Sequence, residues 1–101
     1  MRMLLNVRLP HEAFNKTVSD GSVGTKLNKI LEATKPEAVY FTAQKGMRCA
    51  VLIVDLPDAA KIPSLAEPWF PTFGADIELS PVMSPQELQR AGLDDLGKTW
   101  G

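Results

Sequence analysis

One cysteine, one histidine and one tyrosine are all that this chain of 101 residues has of those three types. The lone Cys49 excludes an internal disulfide and any zinc site built on several cysteines. With His11 alone beside scattered carboxylates, no ligand set for a metal ion is expected. Glycine-rich phosphate loops, nucleophile elbows and paired-cysteine motifs are absent, so no cofactor is expected either. No apolar run approaches the length that spans a bilayer. Asn6 and Arg8 interrupt the N-terminal stretch MRMLLNVRLP, where a secretory signal needs an unbroken apolar core. The cytoplasm is the expected compartment, with no membrane partner. Charge of one sign is lacking too: 11 basic residues face 12 acidic ones. Lys26, Lys29 and Lys35 lie along one helical stretch diluted by Glu32, which reads as a solvated face. Nucleic-acid binding, which depends on neutralising phosphates, is not expected.

What the chain does have is an ordinary globular composition. It is 45% hydrophobic and 23% charged, which argues against disorder. Its length predicts one domain over 1–101. A domain this small buries a modest share of its surface, and burial against a second copy adds to it.

Residues 3–9 alternate strictly, with Met3, Leu5, Val7 and Leu9 on one side and Leu4, Asn6 and Arg8 on the other. Period-two alternation marks a strand with one apolar face, and Pro10 ends it. Two helical pieces follow. The first, His11 to Val18, is broken at Asp20-Gly21. In the second, Ser22 is a candidate N-cap and Val23, Leu27, Ile30 and Leu31 form an apolar stripe that closes before Pro36. Ala38–Ala43 and Arg48–Asp55 read as strands joined by a short glycine-containing hairpin. The second of these is apolar on both faces, as a central strand is.

Over 58–73, Asp58 is a candidate cap, and Ser64 to Glu67 has the spacing of a capping box. Pro63, Pro68 and Pro71 forbid a long helix and predict short turns that bury Leu65, Trp69, Phe70 and Phe73. Residues 75–83 alternate again, with Ile77 and Leu79 on one side. Ser84-Pro85-Gln86-Glu87 combines an N-cap serine, an N1 proline and a glutamate three residues after the cap. The helix it opens should reach about Ala91, with Gly92 as its C-terminal cap. Leu96 and Trp100, four apart, predict a packed tail.

The order β-α-β-β-α-β with an appended C-terminal helix is the ferredoxin-like split arrangement of an α+β protein. It resembles the dimeric α+β barrel superfamily, which includes muconolactone isomerases and antibiotic-biosynthesis monooxygenases. Pro36-Glu37-Ala38-Val39-Tyr40-Phe41, with Leu65-Ala66-Glu67-Pro68-Trp69-Phe70, also resembles a group of short bacterial proteins of unassigned function. The resemblance implies two sheets packed face to face around a lumen that can hold a small ligand. His11 is followed by Glu12-Ala13-Phe14, not by the His-x-Gly-His pattern of pantothenate synthetases, so their activity is not implied.

If Met3, Leu5, Val7 and Leu9 face the helices, the lumen receives Asn6 and Arg8. Tyr40 and Thr42 join them from the second strand, and Glu78 from the fourth. First and fourth strands are neighbours in such a sheet, so Arg8 and Glu78 are expected to pair. That lining suits a small polar or acidic ligand. A structural ion pair at a dimer interface accounts for the same residues. His11, at a barrel mouth, is the one side chain that titrates near neutrality when unperturbed. Leu4, Leu52 and Val54 are expected on the open face, and so extensive an apolar patch predicts a two-fold homodimer. Three functions are open on the sequence. One is a ligand-binding dimer; another is a cofactor-free isomerase or monooxygenase in which His11, Tyr40 or Glu78 moves the proton. The third is a structural domain with a filled lumen.

Overall fold

A computed structural model describes residues 1–101. Strand β1, Arg2–Leu9, leads into helices α1, His11–Ser19, and α2, Val23–Thr34. Strands β2, Ala38–Gln44, and β3, Met47–Asp55, form a hairpin. A 3₁₀ turn, Ala59–Lys61, and two short helices, α3, Ile62–Ala66, and α4, Trp69–Phe73, return the chain to β4, Asp76–Pro81. Helices α5, Pro85–Gln89, and α6, Leu93–Trp100, complete it. The fold is α+β: one antiparallel four-stranded sheet in the order β2-β3-β1-β4. No helix is long and apolar enough to cross a membrane.

The hairpin turn follows from its two central residues. Lys45 and Gly46 both take positive φ, 52° and 76°. That geometry matches the right-handed twist of the strands it joins. It fixes Gln44 opposite Met47 and thereby the whole β2–β3 register.

Period-two alternation sorts the sheet into two unlike faces. Met3, Leu5, Val7 and Leu9 are buried, and so are their cross-strand neighbours Val54, Leu52 and Ala50. These residues, with Ile30, Leu65, Trp69 and Phe73, form the core between sheet and helices. Phe14 of α1 stacks on Phe73 of α4 with ring centroids 5.3 Å apart, and Trp69 tilts against Phe73 at 6.2 Å. Aromatic contacts of this geometry add about 0.5–1.5 kcal/mol beyond area burial.

The helices cover this face alone. Leu52 and Val54, expected on the open face, therefore lie in the core. The open side of β3 carries Val51 and Ile53, each partly exposed, together with the small buried Cys49.

The caps divide by backbone conformation. Asp58 is extended and its carboxylate accepts from Ala60 N at 2.8 Å. Ser22 is not extended: at φ −91°, ψ −6° it makes no side-chain cap, and its backbone N–H donates to Asp20 Oδ1 at 2.8 Å. A serine caps well only from the extended region, from which its hydroxyl reaches the first turn. Ser64 lies inside α3, where its hydroxyl donates back to Lys61 O at 2.7 Å, so the expected capping box there does not form. Phe70, expected in the core, is on the outer side of α4 and exposed. Helix α5 ends at Gln89, and Gly92, at φ 77°, precedes α6.

Trp69 has no exposed surface, yet its indole Nε1 has no hydrogen-bond partner. Such an orphaned donor offsets part of the gain from burying the ring. Trp69→Ala should destabilise by about 3–5 kcal/mol in urea unfolding. Trp69→Phe, which fills much of the space without the unpaired N–H, should lose less than half as much. Equal losses for the two variants would contradict this account.

Candidate functional site

The face turned away from the helices is built in rows. Pairing across all four strands places Tyr40, Val51, Asn6 and Glu78 side by side in one row. The adjacent row is Thr42, Cys49, Arg8 and Asp76, and on the other side lies Ala38, Ile53, Leu4 and Ser80. Asn6, Arg8, Tyr40, Thr42 and Glu78 thus share one face and occupy two neighbouring rows. Ala38, Ile53 and Leu4 make one aliphatic row beside the two polar ones. Val51 lies within the polar row next to it, and the charged pair of positions Arg2 and Asp55 lies beyond it.

The rows also separate residues. Tyr40 is on one edge strand and Glu78 on the other, three inter-strand spacings apart, or about 14 Å. Within one chain they make no direct contact and stand at opposite margins of the face. His11 is exposed at the start of α1, past the end of β1 where Arg8 lies.

Arg8 and Glu78 do not form the expected ion pair. The β1–β4 register sets Glu78 opposite Asn6 and Asp76 opposite Arg8, and no carboxylate comes within 4.0 Å of the Arg8 guanidinium. Instead Arg8 Nη2 donates to Met47 Sδ, at the start of the neighbouring strand β3, at 3.9 Å. The guanidinium lies along the open face with its hydrogen-bonding capacity mostly unused. Asp76 is the residue that sequence reasoning missed in this row. β1 and β4 share no turn, so nothing local in the chain fixes their register, unlike that of β2 and β3.

A second missed residue is Arg2, which has the same strand parity as Arg8. Its Nε lies 3.2 Å from Glu37 Oε2, just before β2, and its Nη1 lies 3.4 Å from Glu87 Oε1 on α5. Glu87 also closes a capping box. Its Oε1 accepts from Ser84 N at 2.9 Å, and its own N–H donates to Ser84 Oγ at 3.1 Å. Arg2 therefore ties the start of α5 to the rim of the open face.

Two further features lie on the helix side. Arg48 stacks over the Phe14 ring, 4.6 Å from its centroid, and donates to Asn15 Oδ1 at 2.9 Å. It borders a cleft of about 270 Å³ with Leu9, Phe14, Leu27 and Phe41. A groove of about 440 Å³ between α2 and α4 is bordered by Lys26 and Lys29. Thr42, expected at the site, also borders the first of these, whereas Asn6, Arg8, His11, Tyr40 and Glu78 border neither. Nowhere do three or more His, Cys, Asp or Glu side chains converge as metal ligands do.

No protein-family model matches the chain, and no curated protein matches it closely enough to lend it a function.

The Glu87 carboxyl is held below its ordinary range, chiefly by the Ser84 backbone N–H, then by the Ser84 hydroxyl and the positive charge of Arg2. A carboxyl with a lowered folded value contributes stability that is present above its unfolded value, roughly pH 4.3. That contribution disappears as pH falls through the lowered folded value. Followed by NMR, Glu87 should titrate closer to an unperturbed glutamate in Ser84→Ala, which removes the hydroxyl and loosens the box. In Arg2→Ala it should move the same way but less. A larger shift in Arg2→Ala would mean that the charge of Arg2 outweighs the capping box.

Proposed function

We propose that this chain is a ferredoxin-like protomer that pairs through its open sheet face into a homodimeric α+β barrel binding a small polar or acidic ligand. The observation that carries the reading is an uncovered face on which an aliphatic row, extended by Val51, adjoins two rows rich in polar groups. Leu4, Val51 and Ile53 are partly exposed on a face that no helix of the chain covers. The strand order β2-β3-β1-β4 is the one a split βαβ arrangement requires.

Facing two such sheets buries the aliphatic rows against each other. It also encloses the polar rows in a lumen, where water is displaced and hydrogen bonds strengthen. Arg8 is the anchor, because its fork of donors has no carboxylate partner in its own chain and matches the geometry of a ligand carboxylate. Asn6, Tyr40 and Thr42 offer further hydrogen bonds, and Asp76 and Glu78 accept from ligand hydroxyl or amino groups. A proton-transfer enzyme gains less support. Tyr40 and Glu78 are on opposite edges of the sheet, and His11 stands outside both rows.

Sedimentation equilibrium at micromolar concentration should show a dimer. Calorimetric titration with a panel of small hydroxy-, keto- and dicarboxylates should find at least one that binds. Arg8→Ala should weaken that binding about 10–100-fold, the equivalent of losing a hydrogen bond to a charged group. Its melting temperature should move by only a few degrees, since no ion pair is broken. A clean monomer would overturn the pairing, and ligand affinity unchanged by Arg8→Ala would overturn the anchor.

A further inference from the structure

Beyond Glu87, which Arg2 still holds, the chain leaves the body of the fold. Every residue from Gln89 to Gly101 is exposed, and α6 makes hydrogen bonds only within itself and to its own caps. The molecule extends 59 Å in its longest direction and 19 Å in its shortest, with a radius of gyration of 16.9 Å. A compact chain of this length has a radius of about 13 Å. Yet α6 is amphipathic: Leu93, Leu96 and Trp100 fall at i, i+3 and i+7 on one stripe, opposite Asp94, Asp95 and Lys98. Their exposures, 55%, 48% and 83%, are those of apolar residues with nothing packed on them. Between α5 and α6 lies a concave elbow of about 710 Å³, to which Leu88 and Leu93 contribute apolar surface.

We infer that this arm, Pro85–Trp100, clasps a second copy of the chain and completes the dimer that the open sheet face begins. The inference rests on the sheet-pairing reading and adds the partner's arm to it. Two observations select a second copy as the occupant. The first is area. The open face measures about 19 Å across its four strands and about 25 Å along them, a footprint of roughly 500 Å². A standard stable interface buries about 800 Å² per partner. Because a side-chain-studded face presents somewhat more accessible surface than its planar footprint, the sheet face alone reaches this standard size at best. The thirteen helical residues of α5 and α6 form a strip about 20 Å long and 10 Å wide, or roughly 200 Å². Under a two-fold axis each copy lends one arm and receives one, so the arms add about 400 Å² per copy and carry the interface past that mark.

The second observation is continuity. The Arg2–Glu87 pair fixes the base of the arm beside the N-terminal end of β1, where Arg2 shares its parity with Leu4, Asn6 and Arg8. The arm therefore springs from the rim of the face to be paired. It extends away from its own domain and leaves its apolar stripe free for a neighbour on that face.

Trp100 reports on this directly, because the only other tryptophan, Trp69, is in the core. Subtracting the emission of Trp100→Phe from that of the unaltered protein isolates Trp100. At concentrations where sedimentation shows the dimer, that difference emission should be blue-shifted and several-fold less quenched by iodide than after dilution to monomer. Leu96→Asp, at an exposed position, should raise the dimer dissociation constant at least tenfold. The circular dichroism and melting of the dilute monomer should stay unchanged. A dimer whose Trp100 is as quenchable as a free tryptophan amide overturns the arm but leaves the sheet pairing intact, as does an unaltered dissociation constant in Leu96→Asp. A chain that stays monomeric at every concentration overturns both. Protection of Trp100 in that monomer places the arm on its own domain and overturns the inference.

Discussion

Successive side chains of a strand point to opposite faces, and in β1 this rule divides eight residues into two unlike sets. Met3, Leu5, Val7 and Leu9 go under the helices and are buried. Arg2, Leu4, Asn6 and Arg8 go to the other side. β1 is a central strand with neighbours on both edges, so its parity passes to β3 and β4 through the register, and to β2 through β3. A slip of one residue would carry Arg8 into the core and Leu5 into water. The core, the open face, the polar rows and the mooring of α5 all depend on this one parity.

Parity was legible in the sequence because it is local: a run of seven residues displays it. The same holds for the Ser84–Glu87 box, where a serine, a proline and a glutamate at fixed spacing specify one geometry. Asp58 belongs with them. Ser22 and Ser64 show where spacing stops sufficing. Both have capping residue types, but the backbone at Ser22 is not extended and Ser64 lies inside its helix, not ahead of it. The proline spacing around α3 and α4 allowed short helices without stating which side of α4 faces inward, so Phe70 could not be told from Trp69. β3 is apolar at nearly every position and carries no alternation of its own. Placing Leu52 and Val54 needed the register with β1, which only the folded sheet supplies. Arg8 and Asp76 are neighbours for the same non-local reason.

The face that parity leaves uncovered and the arm that leaves the domain pose one physical problem from two sides. Each exposes apolar side chains that the rest of the chain does not shelter, and monomers rarely keep such surfaces in water. Helix α6 has only eight residues, short of the length at which a helix holds in isolation, so packing must supply part of its stability. In the dimer proposed above, a second copy answers both sides at once. That proposed pairing would also enclose Arg8, whose guanidinium has no carboxylate within 4.0 Å in its own chain.

The central claim is that the open face is covered in solution by another copy of this chain. Methyl NMR with a soluble paramagnetic probe tests it most directly. In concentrated samples the methyl groups of Leu4, Val51 and Ile53 should resist broadening, as those of the core residues Leu5 and Leu52 do. Dilution below the dimer dissociation constant should expose them while Leu5 and Leu52 stay protected. Broadening of Leu4, Val51 and Ile53 at every concentration, to the extent seen for the exposed Val18 and Ile62 methyls, would contradict the account.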